Sequence, residues 1–374
     1  MKRILFLALT LLVALVGCGP SWEATLIQPD GSPFTVNRDT LDSLAEFAEE
    51  EGVPVERVLF AGEHYAVERL IVTDTDGTRR EYDWAQAAID AWWQDDGQVA
   101  IDGETFPASR VEVEPPALLE QVEASIVDIA PTIAAALGIA APSQATGRAL
   151  DAPRADHVLL LFLDGLGYVR YTEALADGLI PYLATLEKPR VGLTTYPPCT
   201  VVSTASLLTG APPSVHSATQ RNIHKTETET LFDTATAAGL RVVAVEGYAV
   251  SFNLRSAELR LSGDRDGNGS TDDNVLANAL AVLEEGMPDL FYVHFHGIDD
   301  AGHEYGPGAP EEKAKIREVD AAVEQIVEAA PPGTLVIVFA DHGMHAVNES
   351  GRLGNHAHLI ERDMFIPVQL TMKQ

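Results

Sequence analysis

The chain has 374 residues, a formal net charge of −31 and a hydrophobic content of 46%. This length accommodates one large α/β domain and a smaller one, and the apolar content is sufficient for a complete core. The strongly acidic balance excludes nucleic-acid backbones and anionic lipid headgroups as partners of the general surface. An anionic substrate would therefore require a local source of positive charge, such as bound metal ions.

The amino terminus has the pattern of a secretory signal. Two basic residues precede an apolar run too short to span a membrane, which ends in Leu15-Val16-Gly17-Cys18. This ending resembles the bacterial lipobox, which implies cleavage before Cys18 and lipid attachment to it; an ordinary signal peptide with a chance cysteine is the alternative. We expect a signal peptide over 1–18 and a lipid-anchored protein of the bacterial envelope, at the outer membrane or the cell surface. Cys199 would then have no partner for an intrachain disulfide.

Residues 21–113 predict a small α+β domain. Short alternating runs separated by Asp-Gly turns indicate hairpins. Two patterns with helical periodicity, Asp39 to Glu51 and Tyr82 to Trp93, indicate helices. We find no constellation of ligands or nucleophiles here and interpret the domain as a binding or spacer module. Glu114-Pro115-Pro116 marks its boundary, and 117–374 are predicted to form the catalytic domain.

Three apolar, strand-like segments of the second domain are each followed by aspartate or histidine. These are Asp164 after His157–Leu163, Asp299 and His303 after Leu290–Phe295, and Asp341 and His342 after Leu335–Ala340. In open α/β sheets, ligands bind at the carboxyl ends of the strands. Carboxylates and imidazoles at three such ends are the ligands that a zinc-type dinuclear site requires. The sequence therefore predicts a metal centre at this edge of the sheet.

Four motifs in a fixed order carry a family resemblance. They are Phe162-Leu163-Asp164-Gly165, Tyr196 to Gly210, Asp299 to Pro307, and Ala340 to Met344. From about Ala124 to Val368 the chain resembles the alkaline phosphatase superfamily, closest to its type I phosphodiesterase and nucleotide pyrophosphatase branch. The resemblance implies an α/β fold with a largely parallel sheet sandwiched by helices, here preceded by the small α+β domain. It also implies metal-dependent hydrolysis of a small phosphoester substrate.

One segment departs from the family order. The stretch from Val127 to Ile139 resembles a piece that members of this superfamily carry at the carboxyl terminus, after the last metal-binding histidine. Here it precedes the first metal-delivering strand. We interpret this as a circular permutation, which compact domains tolerate because their chain ends often lie close together.

The resemblance also implies a threonine nucleophile. Pro197-Pro198-Cys199-Thr200 opens an apparent helix, and a helix amino terminus favours anions through its free N–H groups and its dipole. The family spacing places the nucleophile at Thr200; metal coordination would lower the pKa of its hydroxyl. The alternatives are that Thr200 is only an N-cap, with Ser203 as the rival nucleophile, whereas Cys199 lies one residue early in the pattern. Asn222 lies near the position of a family asparagine that holds a phosphate oxygen.

By the same resemblance we assign two metal sites. Asp164, Asp341 and His342, with Thr200, hold one divalent ion, and Asp299, His303 and a late histidine hold the other. The spacing to Pro367 favours His356 over His358 as the late ligand. The ligand sets carry charges of −2 and −1, so two divalent ions leave a locally positive pocket. Zinc is expected from the mixture of Asp and His, with manganese as the alternative.

A separate acidic stretch predicts a calcium loop. Asp264, Asp266, Asn268 and Asp272 occupy positions 1, 3, 5 and 9, with Gly269 at position 6. Position 12 is Val275, so the bidentate glutamate is missing, and either the Ca²⁺ affinity is weak or Asp273 completes the site. A solvated acidic turn before a helix is the alternative.

Together these features predict a two-metal phosphohydrolase of the cell envelope that cleaves phosphodiester or pyrophosphate bonds. A phosphomonoesterase or phosphonate hydrolase on the same site is one alternative. An inactive, surface-anchored binding lipoprotein is the other.

Overall fold

The computed structural model describes residues 21–349 and 351–374. The predicted signal peptide and Cys18 lie outside the described residues. The strands are β1 Ala24–Ile27, β2 Pro33–Val36, β3 Val53–Pro54, β4 Arg69–Asp74, β5 Arg79–Asp83, β6 Ala91–Trp93, β7 Gln98–Ile101, β8 Glu104–Glu114, β9 Val122–Ser125, β10 His157–Leu163, β11 Arg190–Leu193, β12 Val242–Glu246, β13 Glu258–Leu261, β14 Leu290–Phe295, β15 Thr334–Phe339, β16 His345–Glu349, β17 Arg352–Asn355 and β18 Phe365–Met372.

Helices occur in both parts of the chain. They are α1 Arg38–Ser43, α2 Val55–Ala61, α3 Trp84–Ala87, α4 Ile129–Leu137, α5 Tyr168–Ala176, α6 Thr200–Thr209, α7 Pro213–His216, α8 Leu231–Ala237, α9 Asp272–Glu285, α10 Gly297–Tyr305, α11 Pro310–Ala329 and α12 Glu361–Met364. Among the described residues, no helix combines the length and the apolar character needed to cross a bilayer.

The larger core is built around an eight-stranded sheet in the order β13-β12-β14-β10-β15-β18-β11-β9. β10 lies between β14 and β15 and runs parallel to both, whereas β18 is antiparallel to its two neighbours. β14 and β15 are buried throughout, which explains why their sequences are continuously apolar. The helices α4, α6 and α8 contact one another, as do α9, α10 and α11, and both groups flank this sheet. The predicted α/β fold with a largely parallel sheet is confirmed.

The segment before β10 is part of this same core. β9 pairs in parallel with β11 at the sheet edge, and α4 packs against α6 and β10. The buried Asp128 carboxylate accepts hydrogen bonds from the backbone N–H groups of Ser125 (2.9 Å) and Arg148 (2.7 Å). Gly138 ends α4 in the left-handed conformation, with φ of 72°. The segment is therefore an integral layer of the larger core.

The residues before β9 form the other eight-stranded sheet, which we call the first sheet because it comes first in the chain. Its longest path is β2-β1-β8-β7-β6-β3, and β4 joins β8 to β5. The apolar core of this sheet continues into the larger unit through Tyr196 and Phe365, among other residues. Val67 N–H also donates a 2.8 Å hydrogen bond to the Leu359 carbonyl. The first sheet is thus packed directly against residues near the carboxyl terminus.

Two helix predictions in the first sheet region are wrong. The helix expected over Asp39 to Glu51 ends at Ser43 and is followed only by a short 3-10 turn. The acidic run Glu49-Glu50-Glu51 would oppose the helix dipole at a carboxyl terminus. The helix expected over Tyr82 to Trp93 is split into β5, the four-residue α3, a 3-10 turn and β6. Burial of its tryptophans in the sheet core overrides the helical periodicity.

Candidate metal centre

The carboxyl ends of β10, β14 and β15 bring the predicted ligands together. Asp164 follows β10 and Asp341 follows β15, while Asp299 and His303 lie one turn apart on α10, directly after β14. Besides a group formed by Asp164, His294 and His296, the structure gathers two groups of predicted ligands, each with its donor atoms within 4.8 Å of one another: Asp164, Asp341 and His342; and Asp299, His303 and His356. The rings of His342 and His356 stack with centroids 3.8 Å apart, so the groups adjoin.

The three histidines of these groups are oriented in the same way. Nδ1 of His303 donates to the Gly354 carbonyl (2.8 Å), Nδ1 of His342 to the Gly343 carbonyl (3.0 Å), and Nδ1 of His356 to the Pro198 carbonyl (2.9 Å). Each Nε2 atom then faces a carboxylate: His303 Nε2 lies 3.1 Å from Asp299 Oδ2, and His342 Nε2 lies 3.2 Å from Asp341 Oδ2. Backbone carbonyls that fix the tautomer in this way are typical partners of metal-bound histidine.

The buried carboxylates fit a cation. Asp164 Oδ1, Asp299 Oδ1 and Asp341 Oδ2 are buried and accept no hydrogen bond from the described residues. Burial and the neighbouring carboxylates of Asp164 and Asp299 raise the pKa of Asp341 well above its usual range. Burial and the adjacent His342 lower the pKa of His356 well below its usual range, which leaves a ring-nitrogen lone pair free to bind a cation. Oxygen and imidazole donors in this mixture suit zinc or a similar divalent ion.

His356 and His358 have different partners. His356 Nε2 lies 3.7 Å from Asp299 Oδ1. His358 Nδ1 instead lies 3.2 Å from both carboxylate oxygens of Glu56, in the first sheet region. Burial lowers the pKa of His358, but the Glu56 carboxylate outweighs this and raises it to about 9. The structure thus places His356, and not His358, in the ligand group.

Asp164 is supported by three other side chains, His294, His296 and Glu246, with which it forms a tetrad. His294 Nε2 lies 3.1 Å from Asp164 Oδ2, and His294 Nδ1 lies 3.0 Å from Glu246 Oε2. His296 Nε2 lies 3.0 Å from the same Glu246 oxygen and its Nδ1 lies 3.4 Å from Asp164 Oδ2. Burial would raise the pKa of Asp164, but its two histidine partners lower it well below the usual range. Oδ2 is therefore engaged, and Oδ1 points to the ligand group.

Glu246 was missed in the sequence analysis. The signal was present, because Val242-Val243-Ala244-Val245-Glu246-Gly247 repeats the pattern of an apolar strand followed by an acid and glycine. Arg352 was also missed. Its Nη2 lies 2.7 Å from His303 Nε2, so the guanidinium must turn aside for a cation to reach that nitrogen.

Thr200 is the first residue of α6, and Cys199 is the N-cap, without a side-chain hydrogen bond. The Thr200 hydroxyl lies 3.3 Å from His342 Nε2. The two alternative nucleophiles are buried. Ser203 Oγ lies 3.1 Å from Thr194 Oγ1. Burial raises the pKa of the Cys199 thiol. Of these three side chains, the structure brings only Thr200 into contact with the ligand group.

Asn222 and the calcium loop lie outside these contacts. Asn222 is exposed in a turn, beside Arg221, and no hydrogen bond joins its side chain to the described residues. In the loop, Asp264 accepts from Gly267 N–H and Gly269 N–H and is exposed. Asp272 is buried, and its carboxylate accepts from the N–H groups of His296 and Gly297 at the start of α10. The calcium loop with Asp264, Asp266, Asn268 and Asp272 stays a prediction.

Fold and site together define a class: an α/β protein with two adjoining clusters of candidate metal ligands at the carboxyl edge of a largely parallel sheet. A family model described as type I phosphodiesterase / nucleotide pyrophosphatase matches residues 158–368, and the chain belongs to this family. The family predicted from the four motifs is thereby confirmed.

Individual relatives are similar over short stretches. The human GPI ethanolamine phosphate transferase 3, catalytic subunit, is 30% identical over 101 residues, which are 27% of this chain and 8% of that protein. GPI ethanolamine phosphate transferase 3 of Eremothecium gossypii is 41% identical over 81 residues, 21% of this chain and 8% of that protein. The matched part thus spans less than a tenth of either relative.

Among solved structures, phosphonoacetate hydrolase from Sinorhizobium meliloti in complex with phosphonoformate has a TM-score of 0.43 and 20% identity, covering 56% of this chain and 62% of that one. Murine ectonucleotide pyrophosphatase / phosphodiesterase 5, an inactive variant in complex with AMP, has a TM-score of 0.44 and 17% identity, covering 52% of this chain and 59% of that one.

Proposed function

We propose that this protein is a metal-dependent phosphoric ester hydrolase that cleaves phosphodiester or pyrophosphate bonds of small substrates. The observation that carries the proposal is the position of the Thr200 hydroxyl, at the amino terminus of α6 and 3.3 Å from the ligand atom His342 Nε2. Membership of the type I phosphodiesterase family supports the same reaction class.

The proposed ligands are Asp164, Asp341 and His342 with Thr200 for one ion, and Asp299, His303 and His356 for the other. Two divalent cations, zinc in our proposal, would supply positive charge for the phosphoryl oxygens and acidify the threonine hydroxyl. Of the ligand side chains, only the three aspartates carry negative charge, so the occupied site would have a net positive charge on an acidic protein.

Three parts of the chain have roles in the proposed reaction: Thr200, the amino terminus of α6 and Asn222. In the proposed reaction, the Thr200 hydroxyl releases its proton to solvent and Oγ1 forms a bond to phosphorus, while the bond to the leaving-group oxygen breaks and that oxygen departs with the bonding electron pair. Water subsequently attacks the phosphothreonine and restores the hydroxyl. The free N–H groups at the start of α6 face the anion throughout. Asn222 is proposed to approach a phosphate oxygen only if its exposed turn folds toward the site.

The test is a comparison of metal-stripped and zinc-reloaded protein on two aryl substrates. We expect no turnover without metal, and faster zinc-dependent hydrolysis of bis(p-nitrophenyl) phosphate than of p-nitrophenyl phosphate. The reverse preference would make the protein a phosphomonoesterase. Absence of metal-dependent turnover on either substrate would contradict the proposed activity.

We further propose that the catalytic domain is circularly permuted and that the protein is anchored to the cell envelope through lipid on Cys18. The packing of β9 and α4 in the larger core supports the first proposal. The lipobox-like sequence alone supports the second. Cys18→Ala should release the protein from the membrane fraction or leave its precursor uncleaved, whereas unchanged retention of a processed protein would contradict the anchor.

The division into domains 21–113 and 117–374 also stays a proposal.

A further inference from the structure

A cavity of about 430 Å³ lies where the first sheet region meets the larger core. The first region contributes Phe47, Glu56 and Arg57 to its wall, and Tyr196, Cys199 and Arg221 come from the part of the chain after β11. No pattern in the sequence indicates this cavity, because its walls come from three distant parts of the chain.

The cavity adjoins the candidate metal centre. Cys199 lines the cavity and directly precedes Thr200, and Ala357 lines it and directly follows His356. Arg221 Nη2 also lies 3.3 Å from His356 Nδ1. A substrate with its phosphorus beside Thr200 can therefore extend into this space.

Two guanidinium groups line the cavity without a carboxylate partner among the described residues. Arg57 lies over the rings of Phe47 (4.0 Å to the centroid) and Tyr196 (4.7 Å), and neither ring can accept its N–H groups as a carboxylate would. Arg221 is exposed, and among the described residues its guanidinium lies within hydrogen-bond distance only of His356 Nδ1. The nearest acid in sequence, Glu56, is already bound by His358 Nδ1 and by Leu359 N–H, each at 3.2 Å.

The position of Arg57 is fixed by packing. It lies on α2, and the neighbouring Val58 and Leu59 are fully buried in the core that also contains Tyr196 and Leu359. The two aromatic rings hold the half-buried arginine stem, so little rotamer freedom would be lost on binding. A positioned guanidinium offers paired N–H donors that match the oxygens of a phosphate or carboxylate.

We propose that this cavity is a subsite for a second oxyanion of the substrate, a phosphate or a carboxylate beyond the reacting phosphorus, and that Arg57 binds it together with Arg221. The inference rests on the proposed function and deepens it. It assigns the first sheet region a role in substrate selection: substrates with an additional anionic group bind better than substrates with one. Glu46 and Glu49 lie exposed at the rim and would disfavour anions that do not reach the two arginines.

The test measures binding by titration calorimetry to the zinc-loaded full chain, with three ligands. AMP carries one phosphate, ADP, supplied throughout as its non-hydrolysable α,β-methylene analogue, adds a second, and phosphoglycolate joins a phosphate to a carboxylate. We expect ADP or phosphoglycolate to bind wild-type protein about tenfold to a hundredfold more tightly than AMP, as charge-assisted hydrogen bonds would give. Arg57→Gln should abolish that gain, and Arg57→Lys should retain part of it.

Arg69→Ala is the matched control, because Arg69 is an exposed arginine of the same sheet region that pairs with Glu81 and Glu114. It should leave the affinity ratios unchanged. A gain with ADP identifies the second oxyanion as phosphate, and a gain with phosphoglycolate alone identifies it as carboxylate. Equal affinities for all three ligands, no detectable binding of any, or a gain that survives Arg57→Gln in protein with wild-type circular dichroism would overturn the subsite. Turnover of bis(p-nitrophenyl) phosphate by wild-type protein is scored separately, so failure of the proposed function is distinguishable.

Discussion

Replacement of His294 by phenylalanine tests how the tetrad supports the metal centre. His294 is fully buried and stacks on Phe162 with ring centroids 3.7 Å apart and an interplanar angle of 5°. His294→Phe keeps an aromatic ring against Phe162 but removes the contacts to Asp164 Oδ2 (3.1 Å) and Glu246 Oε2 (3.0 Å). Asp164 then loses one of the two partners that hold it.

The expected loss is in metal affinity. Changing a group that orients a metal-binding carboxylate typically weakens binding about tenfold to a hundredfold. This corresponds to about 1.4 to 2.8 kcal/mol. We would measure it by competition between metal-stripped protein and a chromogenic zinc chelator. His294→Asn, which keeps one donor, should lose less affinity than His294→Phe.

His157→Phe provides the control. His157 lies at the opposite end of β10, half-buried, where its Nδ1 atom lies 2.9 Å from the Pro288 carbonyl. The control should bind zinc as the wild type does. If His294→Phe also bound zinc within twofold of the wild type, the tetrad would not position Asp164 and the reasoning would be refuted.

Three further predictions concern other parts of the molecule. His303→Ala should lower zinc content and turnover together, since two ligands remain for one ion; full zinc content by mass spectrometry would contradict its assignment. Ile133→Ala should cost about 2 to 5 kcal/mol of unfolding free energy in denaturant, because Ile133 is fully buried in α4; a loss below about 0.5 kcal/mol would contradict an integral layer. Asp233→Asn should lower the unfolding free energy by about 2 kcal/mol at pH 7. Burial raises the pKa of Asp233, but its contacts with Arg255 outweigh burial and lower that pKa to about 2. This stabilisation is present above pH 4 and is lost as the pH falls toward 2, so a difference between variant and wild type that did not narrow over that range would refute the assignment.

The parts of the site predicted from sequence are those encoded locally. Asp164 and Asp341 each follow a continuously apolar run, and buried parallel strands require such runs. Asp299 and His303 are separated by one helical turn, so their proximity follows from the chain itself. The family spacing supplied Thr200 and the choice of His356, which apolar patterns alone do not distinguish.

The parts that could not be predicted depend on contacts between distant segments. Glu56 and His358 are 302 residues apart in sequence, and their contact at 3.2 Å depends on how the two sheets pack. Arg57 likewise has the sequence context of an ordinary helical surface residue. The helix predicted over Tyr82 to Trp93 is wrong for the same reason, because burial of Trp84 and Trp93 decides the local structure there.

The central claim, that Thr200 attacks phosphorus, is tested most directly by acid-quenching the zinc-loaded protein during turnover of bis(p-nitrophenyl) phosphate and locating the trapped group by peptide mass spectrometry. We predict a p-nitrophenyl phosphoryl adduct on Thr200 that is absent from Thr200→Ala, while that variant keeps most of its zinc and loses several orders of magnitude of turnover. An adduct on Cys199 or Ser203, or near-normal turnover by Thr200→Ala, would contradict the account.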